Sequence, residues 1–187
     1  MSDIPPDDDA AVMAQVAAGR HEGFSAIVRR HQQPLLNFFL RSGVSSDAED
    51  LVQQTFLRLY RYRNRYRPRA KFTTFLYLLA RQVLIDEIRR RERRKRLHDK
   101  IVEQTGIEWS ATRREPPDGL SDGLQLALQQ LTPAWREVVI LGAMQGLEYE
   151  EIARMLKIPA GTVKSRMFYG LRALRQALAA GDKDHEI

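Results

Sequence analysis

The chain contains no cysteine, which excludes disulfides and thiolate-held metal centres and is compatible with a reducing compartment. Its four histidines, His21, His31, His98 and His185, are scattered, and no Asp/Glu cluster at metal-ligand spacing accompanies them, so neither a metal site nor a cofactor is expected. Long apolar runs are missing too. The longest, Val138–Met144, is far short of the roughly 20 residues of a membrane span. The first ten residues are acidic and polar, without the basic start and apolar core of a signal peptide. No segment alternates as a half-buried strand does, and no internal repeat is visible. These absences leave a soluble, cytoplasmic, all-α protein as the expectation, with no membrane insertion.

What is present is charge, unevenly placed, on a helical pattern. Hydrophobic residues make up 43% of the 187, enough to build cores, and the formal net charge is +6. From Arg61 to Lys100 there are 15 Lys or Arg against Asp86, Glu87, Glu92 and Asp99, a local net charge of +11, so the flanks are close to neutral or acidic. Such a stretch favours a polyanionic partner. Apolar spacing of three and four predicts helices throughout, giving an acidic disordered tail over 1–15, a helical domain over 16–96, a linker over 97–122, a second helical domain over 123–180 and a polar tail over 181–187. Pro34 is expected to open or kink a helix, Ser42-Gly43 to stop one, and Ser46 with Glu49 to form a capping box ahead of a helix from Asp47 to Tyr62. A long helix is expected over 73–96. The fold class is therefore two small helical domains joined by a flexible linker.

The second domain carries the sharpest pattern. Thr132-Pro133 starts a helix, with the hydroxyl capping and proline in the first turn. Gly146 closes it, a short helix follows over Tyr149–Leu156, and a last helix begins near Ala160 after Lys157-Ile158-Pro159. Leu147, Ile152, Ala153, Leu156, Ile158, Val163 and Leu171 are placed to bury the corner between two steeply crossed helices, the layout of a helix-turn-helix. In that layout the start of the second helix enters the DNA major groove, which puts Gly161, Thr162, Lys164, Ser165, Arg166, Phe168 and Tyr169 on the outward side. Hydroxyls and helix-start N–H groups suit phosphates, and Lys164 or Arg166 suits phosphates or guanine edges.

The first domain carries a second signal. Arg61, Arg63, Arg65, Arg67, Arg69 and Lys71 occupy every second position, interleaved with Tyr62 and Tyr66. Cations that follow phosphates and rings that stack on bases suit single-stranded nucleic acid. The run Arg89 to Arg96 suits a duplex backbone. A basic helix end also complements the macrodipole, and Phe72 and Phe75 fit a core better than a base platform.

Three motifs in order resemble the extracytoplasmic-function (ECF) class of the sigma-70 family of bacterial RNA polymerase sigma factors. Asp47-Ala48-Glu49-Asp50-Leu51-Val52-Gln53-Gln54-Thr55-Phe56 resembles the helix that grips the polymerase clamp. The run from Phe72 through Gln82 to Asp86 and Arg89-Arg90 resembles the segment that melts and reads the minus-ten element. Leu131-Thr132-Pro133, Tyr149-Glu150-Glu151-Ile152-Ala153 and Pro159 through Arg166 resemble the module that reads the minus-thirty-five element. The resemblance covers about residues 20–96 and 123–178.

It implies a promoter-directing factor that binds core RNA polymerase, catalyses no covalent step, is a monomer when free and has an anti-sigma factor as partner. It also implies that 16–96 is sigma region 2 and 123–180 sigma region 4. The implied polymerase-binding residues are Asp47, Glu49, Asp50, Gln53, Gln54 and Leu57. Those for the melted minus-ten strand are Asn64, Arg65, Tyr66, Arg67, Arg69, Lys71, Phe75, Arg81, Gln82, Asp86, Arg89 and Arg90. Those for duplex minus-thirty-five DNA are the outward residues of the last helix. A linker of about 25 residues reaches roughly 80 Å when extended, enough to hold two separated promoter elements. A conventional DNA-binding regulator and a nuclease are the competing readings: the first leaves the Asp47–Phe56 helix unexplained, the second lacks a catalytic cluster.

Overall fold

The structure, a computed structural model, describes residues 8–44, 46–65, 71–105 and 122–183. Every regular element among them is helical. The helices are α1 (Asp8–Ala17), α2 (Phe24–Arg41), α3 (Ala48–Tyr62), α4 (Phe72–Thr105), α5 (Asp122–Gln130), α6 (Pro133–Val139), α7 (Tyr149–Leu156) and α8 (Ala160–Lys183), with short 3₁₀ turns at His21–Gly23 and Arg63–Arg65. The all-α expectation is met.

Helices α1–α4 form one group around Met13, Ile27, Leu35, Phe39, Leu51, Leu59 and Leu76, all fully buried. Each such side chain stabilises the fold by about 2 kcal/mol through loss of apolar surface to water. Helix α2 ends where expected: Gly43 takes φ +91, its N–H reaches Leu40 O, and the Val44 N–H reaches Phe39 O, closing a Schellman turn.

Four sequence expectations change here. Residues 8–17, most of which fall in the expected disordered tail, form helix α1: Met13 and Val16 are buried, and the buried Asp9 carboxylate pairs with Arg30 and lies 2.7 Å from His31 Nε2. Pro34 does not open a helix; it lies inside α2, which runs from Phe24 to Arg41. The Ser46/Glu49 capping box does not form, because the Ser46 hydroxyl and the Asp47 carboxylate both face Arg91 of α4. The long helix does not stop at Arg96 but runs on to Thr105, into the expected linker. Residues 106–121 lie outside the described residues.

Helices α5–α8 form the second group. Pro133 stands in the first turn of α6 as expected, but the Thr132 hydroxyl makes no cap; the Thr132 carbonyl accepts from Trp135 and Arg136 N–H instead. Beyond Val139 the helix widens into a π turn, Ile140–Met144, before Gly146 (φ +71) ends it. The capping box sits on α7, where the Glu148 side chain accepts from the third-residue N–H and Glu151 reaches back to the Glu148 N–H at 2.9 Å. Lys157 takes the left-handed conformation (φ 57) and turns the chain into α8. Helices α6 and α8 approach closely because position 170 is glycine: a Cβ there would lie 2.7 Å from Val139 Cγ2. Arg136 ties α5 to α6 by donating to the carbonyls of Leu128, Gln129 and Leu131 at the end of α5.

The two groups touch. Gln125 of α5 donates to the Leu40 carbonyl of α2, and the start of α4 lies against α6 and α7. The apolar core is continuous between them.

Candidate nucleic-acid interface

Helix α8 places its buried residues, Val163, Met167, Gly170 and Leu174, on the side that packs against α5, α6 and α7. That packing turns the other side outward: Gly161, Lys164, Ser165, Phe168 and Tyr169 are exposed, and Thr162 and Arg166 are half-buried. Phe168 is 64% exposed, unusual for a side chain whose burial is worth so much. Tyr169 stacks on Trp135 of α6, with ring centroids 6.1 Å apart and planes at 23°, and Phe168 meets Tyr169 edge-on at 5.3 Å. The Ser165 hydroxyl donates to Gly161 O at 3.0 Å, leaving its oxygen outward as an acceptor. The seven candidate duplex-contacting residues thus share one surface of the second crossed helix.

The candidate polymerase-binding set sits on α3. Leu51, Val52, Thr55, Phe56 and Leu59 are buried, while Glu49, Asp50, Gln53 and Gln54 are exposed and Leu57 is 56% exposed. Asp50, Gln53, Gln54 and Leu57 follow the i, i+3, i+4, i+7 rule and share a face. Asp47 stands apart: its carboxylate is held by Arg91 at 2.9 Å.

The candidate minus-ten set is divided. Tyr66, Arg67 and Arg69 lie outside the described residues. Asn64 is exposed beside Arg65 in the 3₁₀ turn after α3. Phe75 is half-buried against the core. Gln82 and Arg89 are exposed along α4, whereas Asp86 pairs with Arg58 at 2.7 Å and Arg90 pairs with Glu87 at 2.6 Å. Lys71 and Arg81 face the second helical group, where they meet Glu148 and Glu137. Tyr60, which flanks the basic segment, is stacked under the Arg63 guanidinium at 4.1 Å.

Several polar residues escaped the sequence reading. Glu87, 3% exposed, is gripped by Arg90, Arg91 and Arg94. Thr74, Tyr77, Gln145 and Glu151 complete the contact between the two groups. Burial holds the Tyr77 phenol well above its ordinary pKa, against the opposing pull of Arg41. For Glu151, burial raises the pKa, but hydrogen bonds from Thr74 and the Glu148 N–H, with Lys71 and Arg154 nearby, bring it below the usual carboxylate range. Only the pair Glu148-x-x-Glu151 carried a signal, since an acidic residue three positions on marks a capping box. Among the described residues no three His, Asp or Glu side chains gather as a metal site, and no helix is long and apolar enough to cross a membrane.

Sigma-70 region 2 matches residues 27–94, and Sigma-70 region 4 matches residues 127–176. The chain is 34% identical to the ECF RNA polymerase sigma factor SigE of Mycolicibacterium smegmatis over 82% of its own length, spanning 60% of that relative. It is 30% identical to the ECF RNA polymerase sigma factor SigW of Bacillus subtilis, covering 88% of this chain and 93% of SigW. Its fold is similar to that of the sigma factor RpoE from Bartonella quintana, solved with the anti-sigma factor NepR, with a TM-score of 0.66 at 22% identity over 83% of this chain and 96% of that one. With its region 2 and region 4 in order and its helix-turn-helix intact, the chain belongs to the ECF class of the sigma-70 family, the factors that direct RNA polymerase to promoters.

Proposed function

We propose that this chain recruits core RNA polymerase through the exposed face of α3, reads duplex minus-thirty-five DNA with the outward face of α8, and reads and opens the minus-ten element with α4 and the 64–71 segment. Residues 16–96 act as region 2 and 123–180 as region 4. The factor performs no covalent chemistry: its work is binding, and strand opening is driven by stacking and phosphate contacts on the melted strand. It acts in the cytoplasm, as a monomer when free, with an anti-sigma factor as its inhibitor, as RpoE has NepR.

The observation that carries this reading is the α3 face. A solvated polar face needs no exposed leucine at its centre, but Leu57, beside Asp50, Gln53 and Gln54, supplies the apolar anchor and charged rim of a protein-docking surface. A regulator that acts by occupancy alone has no use for it. The test is retention of core polymerase by the tagged chain, followed by runoff transcription from promoters selected out of a random library. Promoter-specific transcripts are expected. No polymerase retention and no specific transcript would sink the proposal.

A further inference from the structure

The chain that follows α3 leans on a helix that precedes the region 2 match, which begins at residue 27. A 3₁₀ turn has few and poorly aligned hydrogen bonds, so the turn Arg63–Arg65 takes its shape from what it packs against, and it packs against α1. Just before it, the Tyr60 ring carries the Arg63 guanidinium 4.1 Å from its centroid and meets the His21 and Phe24 rings at 5.6 and 5.2 Å. Val12 of α1 abuts Gly23 so tightly that a Cβ at position 23 would lie 2.7 Å from Val12 Cγ1. Helix α1 is fastened in turn by a buried carboxylate. Asp9, 3% exposed, pairs with Arg30 of α2 through one oxygen, and His31 Nε2 lies 2.7 Å from the other. The His31 ring meets that of Phe72, the first residue of α4, at 5.4 Å. The residues on either side of 66–71 therefore both rest on the layer formed by α1 and α2.

We propose that α1 is a positioning element for minus-ten recognition, in which Asp9, held by Arg30 and His31, seats α1 against the Arg63–Arg65 turn and so fixes where Asn64 meets the melted strand. The inference rests on the reading of 64–71 as the strand-reading segment. Two arguments favour positioning over stability alone. A buried carboxylate gives up its hydration, so an ion pair there gains little over a well-packed apolar residue. What it adds is register, because one seating of α1 brings Asp9 to both Arg30 and His31. Asn64, for its part, is exposed, and a displacement of about 1 Å in the backbone that carries such a side chain is enough to lose its contact. The connection after α1 is sharp for the same end. Gly19 takes φ +92, its N–H reaches Val16 O and the Arg20 N–H reaches Gln15 O, which turns the chain back so that Gly23 meets Val12.

The test uses the full chain bound to core polymerase and a promoter from the runoff selection whose minus-ten element is mismatched, so that its strand is already single. Affinity is measured for the selected sequence and for each single-base change in that strand. Asn64→Ala identifies the base position that the turn reads, as a loss of discrimination there. Asp9→Asn removes the buried charge at nearly constant shape, and Gly23→Ala pushes α1 away without altering charge. Each is expected to lower discrimination at that same position at least about threefold, the lower range of coupling through a shared backbone shift, and to change the other positions much less. Adding Asn64→Ala to either variant should cost nothing further at that position. Retention of core polymerase is expected to stay at the parent level, since the exposed face of α3 is untouched. Discrimination lost equally at every position would make α1 a stabilising helix only, and discrimination kept in Gly23→Ala would free the turn from α1; each overturns the inference alone. If Asp9→Asn misfolds and retains no polymerase, Gly23→Ala decides. If Asn64→Ala alters no position, the strand-reading role of the turn fails, and the inference with it.

Discussion

Arg91 of α4 reaches the first turn of α3: its Nη2 lies 2.9 Å from the Asp47 carboxylate, while its Nε donates to the buried carboxylate of Glu87 at 2.8 Å. Burial disfavours the charged guanidinium, but these two carboxylates outweigh it and raise its pKa above the usual value. The pair fixes where α3 starts relative to α4. Arg91→Ala is expected to lower stability by about 1 kcal/mol, since Arg91 is partly solvated and Arg90 and Arg94 still cover Glu87. Urea unfolding followed by circular dichroism measures it. A shift in midpoint indistinguishable from zero would remove Arg91 from the account of how α3 is held.

On α3 the two roles separate by residue. Asp50→Arg and Leu57→Ala change exposed positions, so folding stability is expected to stay within about 0.5 kcal/mol of the parent. Affinity for core polymerase is expected to fall about thirtyfold for each, the size of a docking hot spot. Asp47→Asn should do the reverse, weakening the fold through Arg91 more than it weakens polymerase binding. Titration of labelled chain with core polymerase, beside a melting curve for each variant, distinguishes them.

The contrast between Asp47 and Asp50 also shows how far the sequence could be read. Helices α7 and α8 begin where turn chemistry placed them, and Val163 is buried as the apolar spacing required, because these are local effects; Leu171, expected in the same corner, is instead 40% exposed, since Met167, Gly170 and Leu174 form the buried side of α8. The partner of Asp47 could not be read, since Arg91 is 44 residues away and one arginine in a basic run looks like the next. For the same reason Lys71 and Arg81 looked like free DNA contacts until the fold brought Glu148 and Glu137 to them. Helix α1 was missed because its acidic start resembles a solvated tail, and the buried pairing of Asp9 with Arg30 and His31 is tertiary.

Two glycines on α8 should respond oppositely to alanine. At Gly170 a Cβ would meet Val139 Cγ2 at 2.7 Å and Trp135 Cβ at 3.4 Å, so α8 must move off α6. Overpacking of that kind costs about 1–3 kcal/mol, more than the helix-propensity gain returns. At Gly161 a Cβ meets nothing within 4 Å, and Gly161→Ala should stabilise by about 0.5–1 kcal/mol. Thermal melts of the two variants should move in opposite directions. Two melts that move together would mean that the α6–α8 approach is looser than described.

The contact between α4 and the second helical group supplies a pH dependence whose sign is fixed by Glu151. Its folded-state pKa lies below the ordinary carboxylate value, so its contribution to stability is fully present above that value and is lost as pH falls through the lower, folded one. Acidification from neutral should leave this contribution intact until about pH 4, then remove it. Tyr77 works at the other end: its raised pKa makes its contribution complete below about pH 10 and lost above it. Glu151→Gln should flatten the acid limb of a stability-against-pH curve, and Tyr77→Phe the alkaline limb. An acid limb unchanged in Glu151→Gln would show that other carboxylates set it.

Phe168 gives the most direct test of the duplex interface. At 64% exposure it contributes little to the core, so Phe168→Ala should leave the melting temperature nearly unchanged. On a helix laid in the major groove, an outward apolar ring one turn beyond Lys164 suits the C5-methyl group of thymine. In a duplex selected for binding, Phe168→Ala should weaken affinity with no change in salt dependence, because no phosphate contact is lost. Replacing thymine by uracil in the selected site should cost the parent chain about 1 kcal/mol or more and the variant almost nothing. Lys164→Ala should instead reduce the slope of log affinity against log salt by about 1, as one phosphate contact disappears. If every thymine-to-uracil change costs parent and variant alike, Phe168 reads no methyl group, and its exposure needs another partner.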